Sequence, residues 1–126
     1  MIFDTDVIIW YMRGSEKAAD VIESTASRHV SAVTYMELIQ GARNGTEKKL
    51  VKSIISDLDF EVLGIDENIS HRAIVYIEEY GMSSGLRLAD ALIAATAAEN
   101  NMKLITGNLR HFHSIRDIEA VGFREK

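Results

Sequence analysis

The residues that could do chemistry here are carboxylates set against apolar runs. Asp4 and Asp6 stand inside Ile2-Phe3-Asp4-Thr5-Asp6-Val7-Ile8-Ile9-Trp10, Glu37 follows a short apolar run, and Asp90 opens an alanine-rich stretch. Asn108 comes just after Leu104-Ile105-Thr106-Gly107. A carboxylate in apolar surroundings is costly unless something pairs with it. Three carboxylates drawn close together do not all stay ionised without a cation, because their repulsion raises at least one pKa. The chain has no cysteine, so a thiolate site is excluded and an all-oxygen set selects a hard ion, Mg²⁺ or Mn²⁺. Such ions activate water and clamp phosphate oxygens, and the reaction class that follows is phosphodiester hydrolysis.

Each residue also has a structural explanation. An Asp at a strand end can cap the next helix, which suits Asp6 better than Asp4. Glu37 stands three residues after Thr34, the capping-box spacing. Asp90 near a helix start is favoured by the helix dipole whether or not it binds anything. His111-Phe112-His113 would form a zinc pair only on a strand, and the histidines are more simply solvent-facing or supporting groups. Only the convergence of Asp4, Glu37 and Asp90 separates the functional reading from these.

The elements that must position them alternate short apolar runs with helical patterns. Residues 1–11 read as a buried parallel strand. Ser15 can cap a helix over 16–27, and 30–33 reads as a second strand. A helix from Thr34 to about residue 43 follows, stopped by Asn44-Gly45, and Thr46 can cap the next. Residues 60–63 form a third strand, and Asp66 precedes a helix ended by Gly81. A polar turn leads to the alanine-rich helix over 87–99, stopped by Asn100-Asn101. Residues 103–106 form a fourth strand, and 109–126 read as a short helix with a loosely specified tail. Strands separated by helices imply a three-layer α/β/α domain with a mainly parallel sheet of four to five strands. In such a sheet Asp4, Asp6, Glu37 and Asn108 share the edge where ligands bind. The loop over 81–86 can span about 20 Å, enough to bring Asp90 there.

The 126 residues suit one domain spanning 1–126, large enough to hold a core without disulfides. A net charge of −5 argues against a strongly basic nucleic-acid coat, but not against nucleic acid at a site where cations neutralise acids. No run approaches a membrane span and no signal peptide is evident, so a cytoplasmic protein is expected.

Four stretches together resemble the PIN-domain ribonucleases: Ile2-Phe3-Asp4-Thr5-Asp6-Val7, Thr34-Tyr35-Met36-Glu37-Leu38, Leu88-Ala89-Asp90-Ala91-Leu92-Ile93-Ala94-Ala95, and Leu104-Ile105-Thr106-Gly107-Asn108 with His111-Phe112. The likeness is to the VapC-type toxins of toxin-antitoxin pairs. It implies a Mg²⁺- or Mn²⁺-dependent endoribonuclease acting on RNA, a homodimer held inactive by a cognate antitoxin protein. On this resemblance Asp4, Glu37 and Asp90 are metal-binding acids, Asn108 belongs to the catalytic set, and Thr106 and Asp6 support it. Many relatives carry an acid near His111, whose absence here suggests one firmly held ion. Arg13, Arg43, Arg87 and Arg110 lie in loops or helix ends where a guanidinium can hold RNA backbone.

Two other functions fit part of the pattern. Asp4-Thr-Asp6-Val also resembles the opening of haloacid-dehalogenase-type phosphotransferases, with Asp4 as nucleophile. A catalytically silent PIN-like binding module would keep the fold for its protein contacts alone.

Overall fold

In the computed structural model, residues 1–125 are described, and they form a five-stranded sheet in the order β3-β2-β1-β4-β5 with every pairing parallel. The strands are β1 (Ile2–Phe3), β2 (His29–Ser31), β3 (Glu61–Leu63), β4 (Leu104–Thr106) and β5 (Ala120–Gly122). The helices are α1 (Thr5–Met12), α2 (Glu16–Glu23), α3 (Ala32–Gln40), α4 (Gly45–Asp57), α5 (Glu67–Ser84), α6 (Leu88–Glu99) and α7 (Leu109–Phe112). The three-layer architecture follows from the alternation of side chains along each strand. Ile2 and Leu104 point into a core shared with α5 and α6, whereas Phe3 and Ile105 point into a second core with α1, α2 and α4. Burying apolar residues on both faces of two- and three-residue strands is what makes this short sheet the centre of the molecule.

The first strand is far shorter than residues 1–11. It ends at Phe3, and Asp4 turns the chain into α1 by accepting a hydrogen bond from the Thr5 N–H at 2.8 Å. A short run rich in Val and Ile fits a buried helix as well as a strand, and burial decided it: Val7 and Ile8 face the core while Trp10 faces out. The capping role therefore falls to Asp4 and not to Asp6. Likewise α3 starts at Ala32 under a Ser31 cap, so Glu37 lies in the second turn and makes no capping box with Thr34. Asn44, not Thr46, caps α4.

Two further elements depart from expectation. Helix α5 runs through Gly81 to Ser84 and stops at Gly85, whose φ of 68° is the left-handed conformation that glycine adopts freely. An internal glycine costs a helix only about 1 kcal/mol, too little to end it without a competing cap. The tail contains β5, which pairs with β4 through Leu104 and Ala120, Ile105 and Val121, and Thr106 and Gly122. Its side chains are mostly exposed, so it has no apolar alternation to announce it. The caps at Ser15 and Asp66 and the stop at Asn100-Asn101, with Asn101 at φ 58°, are as expected. No helix among the described residues is long and apolar enough to cross a membrane.

Candidate active site

The strand order puts β1 between β2 and β4, so whatever leaves the carboxyl ends of those three strands meets at one edge. Asp4 leaves β1 and is buried there, 7% exposed. Its Oδ1 takes the Thr5 N–H, and its Oδ2 accepts the Thr106 hydroxyl at 2.7 Å from the end of β4. The Thr106 hydroxyl in turn accepts the Asn108 N–H at 2.9 Å. The Thr5 hydroxyl lies 2.6 Å from Glu37 Oε1 and 3.0 Å from the Thr34 hydroxyl. Its single proton goes to the carboxylate, the stronger acceptor. Thr5 thus links Asp4 to Glu37, which reaches the edge from α3.

Asp6, in the first turn of α1, reaches the other way. Its Oδ2 accepts the Gly107 N–H at 3.0 Å, and its Oδ1 is buried with no hydrogen-bond partner. A Cβ on Gly107 would stand 2.6 Å from Asp6 Oδ2, so glycine is what lets the backbone approach. Asp90 joins from the first turn of α6. Its Oδ2 accepts the Arg87 N–H at 3.2 Å and lies 3.2 Å from His111 Nδ1. That imidazole nitrogen is also 2.9 Å from the Asn108 amide.

Electrostatically the edge is under-compensated. Burial, then the negative charges of Asp6 and more weakly Asp90, push the Asp4 carboxyl up to about 7 despite its hydrogen bonds from Thr106 and Thr5. Burial, with a contribution from Asp90, also raises Asp6. His111 is the only basic side chain among the described residues within ion-pair distance of these acids. No three His, Cys, Asp or Glu side chains among the described residues form a ready-made metal cage. What they form is an open, oxygen-lined edge with one buried oxygen unsatisfied and mutual repulsion that a cation would relieve. That donor set suits a hard ion of the Mg²⁺ class, which keeps several waters and takes only part of its shell from protein.

The structure therefore brings Asp4, Asp6, Asp90, Thr106 and Asn108 together, with Glu37 joined through Thr5. The arginines divide. Arg13 stacks over Trp10 at 5.5 Å and lines a groove with Glu37, while Arg43 is committed to Glu47 at 2.8 Å. Arg87 precedes α6, and Arg110 lies in a separate cavity. Sequence reasoning passed over Thr5, Gly107 and the contact of His111 with Asp90. A hydroxyl between two acids was the available signal for Thr5. The other two depend on which strands are neighbours.

Fold and site together define a parallel α/β domain that gathers Asp4 and Asp6 after β1, Glu37 from α3, Asp90 from α6, and Thr106 and Asn108 from the end of β4 at one edge of the sheet. Residues 1–118 match the PIN domain model, and the chain belongs to the PIN domain family. It is 33% identical over 116 residues to Ribonuclease VapC10 of Mycobacterium tuberculosis, covering 89% of this chain and 85% of that protein. Among solved structures it is similar to a toxin-antitoxin complex from Klebsiella pneumoniae, with a TM-score of 0.80, 29% identity, and coverage of 95% of this chain and 94% of that one. It also resembles VapBC-1 from nontypeable Haemophilus influenzae, with a TM-score of 0.74, 27% identity, and coverage of 97% and 98%.

Proposed function

We propose that this chain is a Mg²⁺- or Mn²⁺-dependent endoribonuclease, the toxin of a toxin-antitoxin pair. The observation that carries the reading is the uncompensated carboxylate edge of Asp4, Asp6 and Asp90, with Asp6 Oδ1 buried and unpartnered. The relative named a ribonuclease and the neighbours named as toxin-antitoxin complexes support it. Asp4, Asp90 and Glu37 would hold the ion, with water and RNA phosphate completing its shell. When bound, such an ion lowers the pKa of a water and neutralises charge on the phosphate.

The chain's own residues prepare that chemistry by fixing the carboxylates. The Thr106 hydroxyl and Thr5 N–H hold both oxygens of Asp4, the Thr5 hydroxyl orients Glu37, and the Arg87 N–H and His111 orient Asp90. Asp6 supports the site by tying α1 to the Gly107 backbone. A cognate antitoxin protein and a second copy of the chain are the proposed partners.

The phosphotransferase alternative would make Asp4 a nucleophile, but the chain belongs to a different family. The silent-module alternative is an outcome of the decisive experiment. Protein with Mn²⁺ is incubated with structured RNA beside its Asp4→Asn and Asp90→Asn variants. Cleavage by the parent should exceed that by either variant at least ~100-fold. Equal cleavage by all three reveals a contaminant, and no cleavage by any points to the silent module.

A further inference from the structure

The carboxylate edge has a neighbour of opposite character. A cavity of about 400 Å³ opens between the turn after β4 and the segment leaving β5. Its near wall is Thr106, which donates to Asp4, Gly107, which donates to Asp6, and Asn108, which donates to Thr106, so the cavity begins where the acidic site ends. Its far walls carry Arg110 and Arg124, and no acidic side chain lines it. Both arginines are exposed, and neither has a carboxylate within ion-pair distance among the described residues. Arg43 and Arg72, by contrast, are spent on internal pairs. In a chain of net charge −5, two unspent guanidiniums facing one cavity beside an acid cluster form a local site for an anion. Leu109 lies across Gly122, where a Cβ would come within 2.7 Å of its Cδ1, and remains 44% exposed. It gives the cavity an apolar lip against which a base can rest.

We infer that this cavity binds a backbone phosphate of the RNA strand next to the one cleaved, through Arg110 and Arg124. The inference rests on the endoribonuclease reading and adds the direction in which the strand leaves the acids: over the β4 turn towards β5. Arg124 belongs to it although it lies in a tail with no motif. An exposed guanidinium gives up little by binding phosphate in bidentate fashion, whereas one paired internally must first break that pair.

The test uses the full chain carrying Asp4→Asn, in which cleavage is expected to fall at least ~100-fold, and a fluorescein-labelled single-stranded RNA followed by anisotropy over a range of KCl concentrations. Replacing Arg110 or Arg124 by Ala should each reduce the log–log salt slope by about 0.7, the value for one phosphate on a single strand. Arg110→Lys and Arg124→Lys should keep most of the slope, which separates loss of charge from loss of fold. Arg116→Ala, lining other cavities, should leave it unchanged. Unchanged slopes in both Ala variants, with RNA still bound and the parent still cleaving it, overturn the inference alone. A parent that neither binds nor cleaves RNA overturns it together with the nuclease reading.

Discussion

Two clusters of charged side chains hold this molecule's elements together, and they are built on opposite terms. On one flank Arg72 of α5 donates to Glu99 of α6 at 2.6 Å and to Asp117, which also accepts from the Tyr76 hydroxyl at 2.8 Å. Each charge there has a partner, and the cluster ties two helices to the segment before β5. At the carboxyl edge of the sheet, Asp4, Asp6 and Asp90 face one another with a single imidazole among them, and one buried oxygen has no partner. The first cluster is complete as folded. The second is stable only because packing elsewhere, from α5 against α6 and from Phe3, Ile8 and Ile105 in the opposite core, over-determines where the acids sit. Uncompensated charge gathered at one buried edge is what supports the reading of a site that takes a ligand.

The sharpest way to break that contrast is pH in the absence of divalent ions. Asp4, ordinarily near 3.8, is pushed to about 7 in the fold. An acid whose folded pKa lies above its unfolded value favours the fold while protonated. That advantage is full below about pH 4 and is lost as pH rises through 7. Urea unfolding of the metal-free protein should therefore show lower stability at pH 8 than at pH 5, by a few kcal/mol. Asp4→Asn should flatten the difference, and saturating Mn²⁺ should raise stability at pH 8. Equal stability at both pH values would mean that the edge is compensated after all.

Arg72→Ala tests the other cluster. It should cost about 1–2 kcal/mol of stability, discounted for its partial exposure, and leave the rate of RNA cleavage unchanged while the chain is folded. A comparable loss of cleavage would show the two clusters to be coupled.

Thr5→Val removes the hydroxyl that donates to Glu37, keeps the backbone N–H on Asp4, and leaves the fully buried Thr34 hydroxyl without its neighbour. The expected cost is about 1 kcal/mol of stability, with a fall in cleavage greater than the stability change explains. Wild-type cleavage in this variant would remove Thr5 from the site.

The smallest expected effect is on ion count. His111→Asp replaces the one basic partner of Asp90 with a ligand, so titration with Mn²⁺, read by electron paramagnetic resonance without RNA, should rise from one ion per chain to two. An unchanged count would show that the imidazole does not set the number of ions.

Much of this was legible in the chain. The helix that starts at Glu16, though it stops at Glu23 rather than near residue 27, the helix over 88–99, the caps at Ser15 and Asp66, the Asn100-Asn101 stop and the parallel α/β layering all follow from local pattern, because each depends on residues within a turn or two. The first strand did not, since a short run of Val and Ile satisfies both a buried strand and a buried helix, and burial of Val7 and Ile8 behind the Asp4 cap chose between them. Strand β5 did not either, because its exposed residues carry no alternation and its place comes from pairing with β4.

The sequence by itself determined which acids the chain owns and, through strand–helix alternation, that Asp4 and Asn108 follow strand ends and that Glu37 lies on the helix after the second strand. Tertiary structure alone decided that Asp6 reaches Gly107, that His111 meets Asp90, and that Asp6 Oδ1 is buried without a partner. The physical reason is the order of the strands. Setting β1 between β2 and β4 brings side chains about a hundred residues apart into hydrogen-bonding distance, and no local periodicity encodes which strands are neighbours.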